Sequence, residues 1–387
     1  MAFSNVGCPY HIQDTDHFCG AAAAMMILER LGQTGQRQDV LYESNHDNNR
    51  KASWFTDPFG MSATLRNSTN GTGRTFNAHL PTSEPAGTAA IVDSLWNRNL
   101  PAAALVFKYQ HWLVVADVET SVDPRSGDPY DLLLLSIRNP FWLKRTIAHQ
   151  PQDECRSFDP ADEVISYSTW IRDYFTGAAF DSPVVNGREP ALQFISVREA
   201  AAPTVRAPKR PTEPAAPLAS VQESARLAAA RFRELRPQDE RTAKAFGNRT
   251  EWRAPVQIER LDRPGTWDYL NFFEGDGVGG VLALRGSNHA FRSVQFDGHE
   301  TLRLLTDNGD LARQTVVERG EDLLRARRQL SSFARDAQRT PNLVWRPCRQ
   351  SLSPALPFHE FKKGRQRYYV RIDGEVFDQL THHEMGL

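Results

Sequence analysis

A run of small and apolar residues near the start of the chain predicts a buried helix. Residues 21–28 read AAAAMMIL, a composition that favours a helix and is apolar on every side. A helix that is apolar all round belongs in a core rather than at a surface. Glu29 and Arg30 then introduce charge, and Gly32 is a suitable helix stop. We therefore predict a central helix whose first turn begins at Cys19.

Three short apolar runs further along the chain predict strands. Residues 102–108 (AAALVFK) and 112–118 (WLVVADV) are separated by a short turn, which is typical of a hairpin, and His111 heads its second strand. Residues 132–137 (LLLLSI) predict a buried strand that delivers Asn139 at its end. The remaining pattern of the first 200 residues predicts helices at about 64–67, 89–99 and 160–175 and a strand at 192–197.

The second half of the chain follows a stretch rich in alanine and proline. Residues 200–219 contain few large apolar side chains and predict an extended, semi-stiff linker. Beyond it the pattern predicts helices at about 220–235 and 318–337, and strands near 255–261, 267–273, 279–285, 291–297, 342–346, 356–361 and 366–372. We expect an α+β protein with a first domain at 1–199, the linker, and an α+β region at 220–387. The helix-then-strands order occurs twice in that region, which indicates a degenerate duplication.

Composition describes an ordinary globular protein. The chain has 387 residues, of which 40% are hydrophobic and 24% charged. The chain has four cysteines, Cys8, Cys19, Cys155 and Cys348. They are too scattered for a disulfide framework or a zinc site, which favours a reducing compartment. The first residues carry no secretory pattern, and no apolar run is long enough to cross a membrane. We expect a cytoplasmic location, and export as an effector without a signal stays open.

Charge differs between the two halves. Residues 1–200 contain 16 Lys and Arg against 23 Asp and Glu, whereas residues 201–387 contain 30 against 24. Solvated arginine-rich faces explain this asymmetry most simply, while attraction between the halves or a protein partner for the basic half are the alternatives. We expect no nucleic-acid partner and no membrane contact.

Cys19 is the strongest candidate for chemistry. Backbone N–H groups and the helix dipole at a helix N-terminus favour a thiolate over a thiol. Gln13, six residues upstream, could donate a hydrogen bond to a developing oxyanion. The alternative is that Cys19 is simply a small hydrophobic core residue, as most buried cysteines are.

His111 and Asn139 are the best partners for such a nucleophile. A cysteine hydrolase needs an imidazole beside the thiol and a third residue that orients the imidazole. Both residues lie at the ends of apolar strands, where a sheet can hold them against the start of the central helix. His11 and His17 are rival bases, although neither lies on a predicted strand.

Three short segments, taken in order, carry a family resemblance. They are QDTDHFCG at 13–20, QHWLVV at 110–115 and NP at 139–140. Together they resemble the papain-like cysteine peptidases, most closely the bacteriocin-processing branch that cleaves double-glycine leaders. The resemblance covers about the first 200 residues. Ala21 stands where that branch has proline, and Asn139 stands where it has aspartate, although papain itself has asparagine.

The resemblance implies a fold and a set of roles. The fold would be a helical lobe packed on a β lobe, and the reaction would be hydrolysis of a peptide bond through a thioester. Gln13 would serve the oxyanion hole, Cys19 the nucleophile, His111 the acid and base, and Asn139 the orienting residue. An amidase, deamidase or acyltransferase with the same triad, and a non-catalytic binding scaffold, are the alternatives.

Other motifs indicate no cofactor and no metal. Residues 275–280 match G-x-G-x-x-G, but the residues that follow predict a strand, so the glycines indicate a hairpin turn rather than a dinucleotide site. His382, His383 and Glu384 predict a flexible tail more than a metal site.

Overall fold

The chain forms two compact units, and its described residues include both helices and strands. The computed structural model describes residues 1–4, 6–15, 17–141, 163–180, 191–200, 202–211, 251–252, 255–275, 278–286, 291–297, 342–352, 356–363, 365–371 and 376–381. Described residues up to 211 form unit 1, and those from 251 to 381 form unit 2. The α+β class expected from the pattern is confirmed.

Four helices of unit 1 precede most of its strands. They are α1 (Cys19–Arg30), α2 (Gln38–Asp47), α3 (Pro58–Ser68) and α4 (Glu84–Arg98). The predicted helices at 21–30, 64–67 and 89–99 are confirmed, with longer bounds for the last two. Helix α2 was not predicted, because its sequence QDVLYESNHD has only three large apolar or aromatic side chains.

The strands of unit 1 form one antiparallel sheet. They are β1 (Ala2–Phe3), β2 (Phe76–His79), β3 (Ala102–Val106), β4 (His111–Thr120), β5 (Leu132–Arg138), β6 (Glu163–Ser166) and β7 (Ser196–Glu199). The order across the sheet is β6-β5-β4-β3-β7-β2, and β1 pairs with the far end of β4. The predicted hairpin is confirmed: Val106 faces His111 in its last register position.

Helix α1 lies in the core against this sheet. Residues Ala21 to Ala24 are fully buried, and their small side chains let the helix approach β3 and β4 closely. Gly20 extends this close approach toward α3, since a Cβ atom there would stand 2.6 Å from the Thr56 side chain. The start of α1 is therefore held by contact on both sides.

The predicted helix at 160–175 is wrong in its first part. Residues 163–166 are strand β6, paired with β5, and a short helix α5 (Tyr167–Thr169) and a π-helical turn (Trp170–Tyr174) follow. A strand forms here instead of a helix because residues 163 and 165 are buried against β5 while 164 and 166 are half-buried. This alternation of burial is typical of a strand.

Residues 202–211 belong to unit 1 by their contacts. The Tyr130 hydroxyl donates to the Arg206 carbonyl at 2.9 Å, and the Thr204 backbone N–H donates to Asp93 at 2.8 Å. This part of the expected linker therefore runs along the unit rather than away from it. The predicted boundaries at 199 and 219 stay a prediction, and residues 212–219 lie outside the described residues.

Unit 2 contains a second sheet. Its strands are β8 (Glu251–Trp252), β9 (Val256–Arg260), β10 (Trp267–Gly275), β11 (Val278–Arg285), β12 (Phe291–Asp297), β13 (Asn342–Trp345), β14 (Phe358–Lys363), β15 (Gln366–Arg371) and β16 (Val376–Phe377). The order is β16-β15-β14-β13-β9-β10-β11-β12; β8 pairs with β10, and only the β9–β13 pair in this order is parallel. These strands confirm the seven predicted runs.

The glycine-rich motif lies at a hairpin, as predicted. Strands β10 and β11 are antiparallel, and Gly275 faces Val278 at the end of their pairing. The predicted helices at 220–235 and 318–337 and the residues His382–Glu384 lie outside the described residues. In the part of the chain that the structure describes, no helix combines the length and the apolar character needed to cross a membrane.

Candidate active site

Cys19 is the first residue of α1 and is almost completely buried. Its exposed fraction is 2%, and burial raises the pKa of its thiol to about 11. Hydrogen bonds from the backbone N–H groups of Trp112, Gly20 and Cys19 itself lower the pKa but do not outweigh burial. Cys19 is therefore a thiol at neutral pH unless a nearby base takes its proton. The Trp112 contact places the sulfur beside the residue that follows His111.

His111 is positioned by an unusual connection between β3 and β4. Phe107, Lys108 and Tyr109 have φ angles of 53°, 56° and 70°, and the Gln110 N–H donates to the Val106 carbonyl at 3.0 Å. Three left-handed residues closed by such a bond form one turn of left-handed helix. Each non-glycine residue in this conformation costs about 1–2 kcal/mol.

The surrounding segment holds this turn in place. The Phe107 N–H donates to the Tyr174 carbonyl at 2.8 Å, and the Tyr109 hydroxyl donates to the Gln193 carbonyl at 2.7 Å. The Lys108 N–H donates to the Thr176 hydroxyl at 3.2 Å. Strained backbone that is fixed from outside is common where a side chain must be aimed, and here the next strand begins with His111.

The structure brings His111 and Asn139 together. His111 is 1% exposed, and its Nε2 lies 2.8 Å from Asn139 Oδ1. The Phe141 backbone N–H also points at this atom, at 3.0 Å, and because a backbone N–H can only donate, the atom is the amide oxygen. His111 Nε2 must therefore carry a proton toward Asn139. In the neutral imidazole this leaves Nδ1 as the basic nitrogen.

Asn139 is fixed from two further directions. The Tyr10 hydroxyl donates to its backbone carbonyl at 2.8 Å. Its side-chain Nδ2 donates to Glu163 Oε2 at 3.5 Å, a long hydrogen bond. The Tyr174 hydroxyl donates to the other oxygen of Glu163. Glu163 is 4% exposed, and burial raises the pKa of its carboxyl to about 7 even though both hydrogen bonds lower it.

Gln13 lies in the loop before α1, beside the residue that follows Asn139. Its backbone N–H donates to the Pro140 carbonyl at 3.0 Å, and its side-chain Nε2 donates to the Thr15 carbonyl at 2.8 Å. A side-chain amide nitrogen carries two hydrogens, so one remains beyond the Thr15 bond. Gln13 is 6% exposed, and within the described residues its Oε1 has no hydrogen-bond partner.

The two rival histidines have other surroundings. His11 Nε2 is paired with the Glu29 carboxylate in the last turn of α1. His17 packs in an aromatic cluster, with ring centroids 4.9 Å from Phe18 and 4.9 Å from Phe55. Their contacts are thus a hydrogen bond to a carboxylate for His11 and ring packing for His17.

Sequence reasoning missed Glu163 and Tyr174. The residues around Trp170 were expected to form a helix, so no strand was assigned to deliver Glu163 beside Asn139. The available signal was the alternation of EVIS at 163–166, with a carboxylate at a position that faces the core. A four-residue alternation is too short to outweigh the neighbouring helical pattern.

Neither a metal-binding cluster in the described residues nor a matching protein gives further information about the site. Within the described ranges, no three His, Cys, Asp or Glu side chains come together in a way that could hold a metal ion. No protein-family model, curated protein or solved structure matches the chain. The function must therefore be inferred from the chemistry of the site itself.

Proposed function

We propose that the chain is a papain-like cysteine peptidase that hydrolyses peptide bonds with Cys19, His111 and Asn139. The observation that carries this proposal is the 2.8 Å contact of His111 Nε2 with Asn139 Oδ1, whose oxygen is identified by the Phe141 N–H. That contact leaves Nδ1 of His111 as the base, and the Cys19 sulfur accepts a hydrogen bond from the backbone N–H of Trp112, the residue that follows His111. This is the chemical requirement of a cysteine nucleophile.

The first half of the reaction forms a thioester. His111 Nδ1 takes the Cys19 proton, and the sulfur attacks the carbonyl carbon of the substrate. The negative oxygen that results accepts hydrogen bonds from the Cys19 N–H and the remaining N–H of Gln13. The carbon–nitrogen bond then breaks, and the leaving amine takes the proton from His111.

The second half restores the enzyme. A water molecule gives a proton to His111 Nδ1 and attacks the thioester carbonyl through the same oxyanion site. The carbon–sulfur bond breaks, the carboxylic acid leaves, and the Cys19 thiolate recovers its proton from His111. Asn139 keeps Nε2–H of His111 bonded throughout, so the base is always Nδ1.

The arrangement of unit 1 supports the papain-like part of the proposal. Helix α1 carries the nucleophile at its N-terminus, the interior strand β4 begins with the histidine, and the asparagine directly follows its neighbour β5. A helical lobe packed on a β lobe has this layout. The basic C-terminal region would recruit a protein substrate or partner.

The test is alkylation of the purified protein with iodoacetamide, with each cysteine followed by mass spectrometry. Cys348 is the matched internal control, because it is also buried and burial also raises its pKa to about 11. If His111 activates Cys19, Cys19 labels at least tenfold faster than Cys348 at pH 7. In the variant His111→Ala the two rates become similar.

Substrate cleavage separates the related activities. The wild-type protein, but not Cys19→Ala, should release new N-termini from a proteome-derived peptide library. If labelling is fast but no peptide bond is cleaved, transfer of an acyl group to hydroxylamine identifies an amidase or acyltransferase. If Cys19 labels no faster than Cys348, the peptidase proposal fails, and the 2% exposure of Cys19 then favours a binding scaffold.

A further inference from the structure

Glu163 extends the candidate site by one residue beyond Asn139. Hydrogen bonds connect His111 to Asn139, Asn139 to Glu163, and Tyr174 to Glu163. In the His111–Asn139 and Asn139–Glu163 hydrogen bonds, the N–H donor points away from the nucleophile and toward the Glu163 carboxylate. Glu163 is therefore the negative end of a chain that begins at the imidazole.

We propose that Glu163 is a positioning residue that acts through Asn139: its carboxylate orients the amide and, when ionised, favours the protonated form of His111. This inference rests on the proposed function of the same site. It adds a fifth residue to the four that the resemblance implied, which are Gln13, Cys19, His111 and Asn139.

The first physical argument is orientation. The Asn139 amide could turn by 180° and offer its NH2 group to His111, which would reverse the tautomer. Two contacts oppose that turn: the Phe141 N–H requires an oxygen, and the Glu163 carboxylate requires an N–H. Because the two requirements lie on opposite sides of the amide, they select one orientation.

The second argument is electrostatic. When Cys19 transfers its proton, His111 becomes positive inside a core where charges interact strongly. An ionised carboxylate at the far side of Asn139 stabilises that positive charge and draws electron density toward the amide oxygen. A protonated Glu163 does neither.

The charge state of Glu163 depends on its neighbours. Burial raises the pKa of Glu163, and the Tyr174 and Asn139 hydrogen bonds lower it. The titratable and charged groups on the segments around it are Tyr10, His111, Arg138, Asp173 and Tyr174. The Arg138 guanidinium donates to the Cys8 carbonyl, and the Tyr10 hydroxyl donates to the Asn139 carbonyl. With a pKa near 7, Glu163 changes charge within the neutral range.

The test compares Cys19 alkylation at pH 5.5 and pH 8.0 in three proteins. At pH 5.5 the wild-type Glu163 is neutral, so Glu163→Gln should label at the wild-type rate. At pH 8.0 the variant should label about tenfold more slowly, which corresponds to one unit in the pKa of His111. Equal rates at both pH values would overturn the proposal.

Glu84→Gln is the matched control. Glu84 is also a buried carboxylate of unit 1 whose pKa burial raises, and it also accepts from a tyrosine hydroxyl, that of Tyr167. Within the described residues, Glu84 accepts hydrogen bonds from Thr88 and Tyr167, and no hydrogen bond joins it to His111 or Asn139. Glu84→Gln should keep the wild-type rate at both pH values, so a loss in this variant too would assign the effect to general loss of structure.

Tyr174→Phe gives an independent measurement if Glu163→Gln fails to fold. Removing the hydroxyl takes away a donor that lowers the pKa of Glu163. The rise of the labelling rate with pH should therefore move to higher pH. An unshifted profile would contradict the proposal. If instead wild-type labelling does not depend on His111 at all, it is the proposed function that has failed, which the His111→Ala control reveals separately.

Discussion

Two buried carboxylates of unit 1 and one of unit 2 have different kinds of partner. In unit 1, Glu163 and Glu84 receive hydrogen bonds from neutral hydroxyl and amide groups. In unit 2, Asp268 lies between two buried guanidinium groups, 3.5 Å from Arg260 and 3.0 Å from Arg292. The three carboxylates and the two arginines are all buried. The three sites therefore differ in the partners of the carboxylate and not in its burial.

This difference decides which carboxylate can change its charge without breaking the structure. A neutral donor loses little when the carboxylate takes up a proton, whereas an arginine loses its counter-ion. Burial raises the pKa of Asp268 to about 6, and the charges of Arg260 and Arg285 oppose that rise. The buried charge of Asp268 is therefore part of the structure of unit 2, whereas Glu163 of unit 1 can titrate beside a candidate site; Asp93, 4.0 Å from buried Arg198, shows that unit 1 also contains a carboxylate paired with an arginine.

The largest expected effect is in unit 2. Asp268→Asn removes the carboxylate charge from between buried Arg260 and Arg292, of which Arg260 keeps Asp262 as an ion-pair partner, and should lower the free energy of unfolding by about 3–5 kcal/mol. Glu84→Gln, the unit 1 counterpart, should cost much less, because Tyr167 and Thr88 can still donate to the amide oxygen. Urea unfolding at pH 7 measures both. Equal losses would remove the distinction between the two units.

The second prediction concerns pH. The folded-state pKa of Glu163, about 7, is above its ordinary value of 4.5, so the folded protein binds more protons between these values. Stability must then fall as pH rises from 4.5 to 7, by about 3 kcal/mol at 1.36 kcal/mol per unit. In Glu163→Gln this contribution is absent. The check is urea unfolding at pH 5 and pH 8, and an identical fall in both proteins would show that Glu163 is not its source.

The smallest effect tests backbone strain in unit 1. Lys108 is exposed and has a φ of 56°, which glycine adopts without the steric cost that other residues have. Lys108→Gly should raise the free energy of unfolding by about 1 kcal/mol and leave the labelling rate of Cys19 unchanged. Lys108→Ala, which keeps the Cβ atom, should give no such gain. A gain in both variants would locate the effect in the lysine side chain.

Sequence patterns predicted the elements that carry Cys19, His111 and Asn139. Helix α1 and strands β3, β4 and β5 are long or strongly apolar. Because such segments must be buried, few other secondary structures are compatible with their sequence. The polar residues that interrupt these patterns at their ends were therefore the natural candidates. The structure places two of them in direct contact.

Other parts depended on tertiary contacts and could not be predicted. The left-handed turn at 107–109 reads FKY, without the glycine or asparagine that normally marks a positive φ. It exists because neighbouring carbonyl and hydroxyl groups hold it. The pKa of Cys19 was also misjudged from the helix N-terminus alone, since burial outweighs the backbone N–H groups.

The Asn139–Glu163 contact has a consequence for how this sequence can vary. The family resemblance predicted from the sequence implies an aspartate at the position of Asn139. An aspartate there would place a second carboxylate 3.5 Å from Glu163, and two like charges so close cannot both stay ionised. The residue types at positions 139 and 163 are therefore interdependent. An amide at 139 is compatible with a carboxylate at 163, whereas a carboxylate at 139 requires a neutral residue at 163.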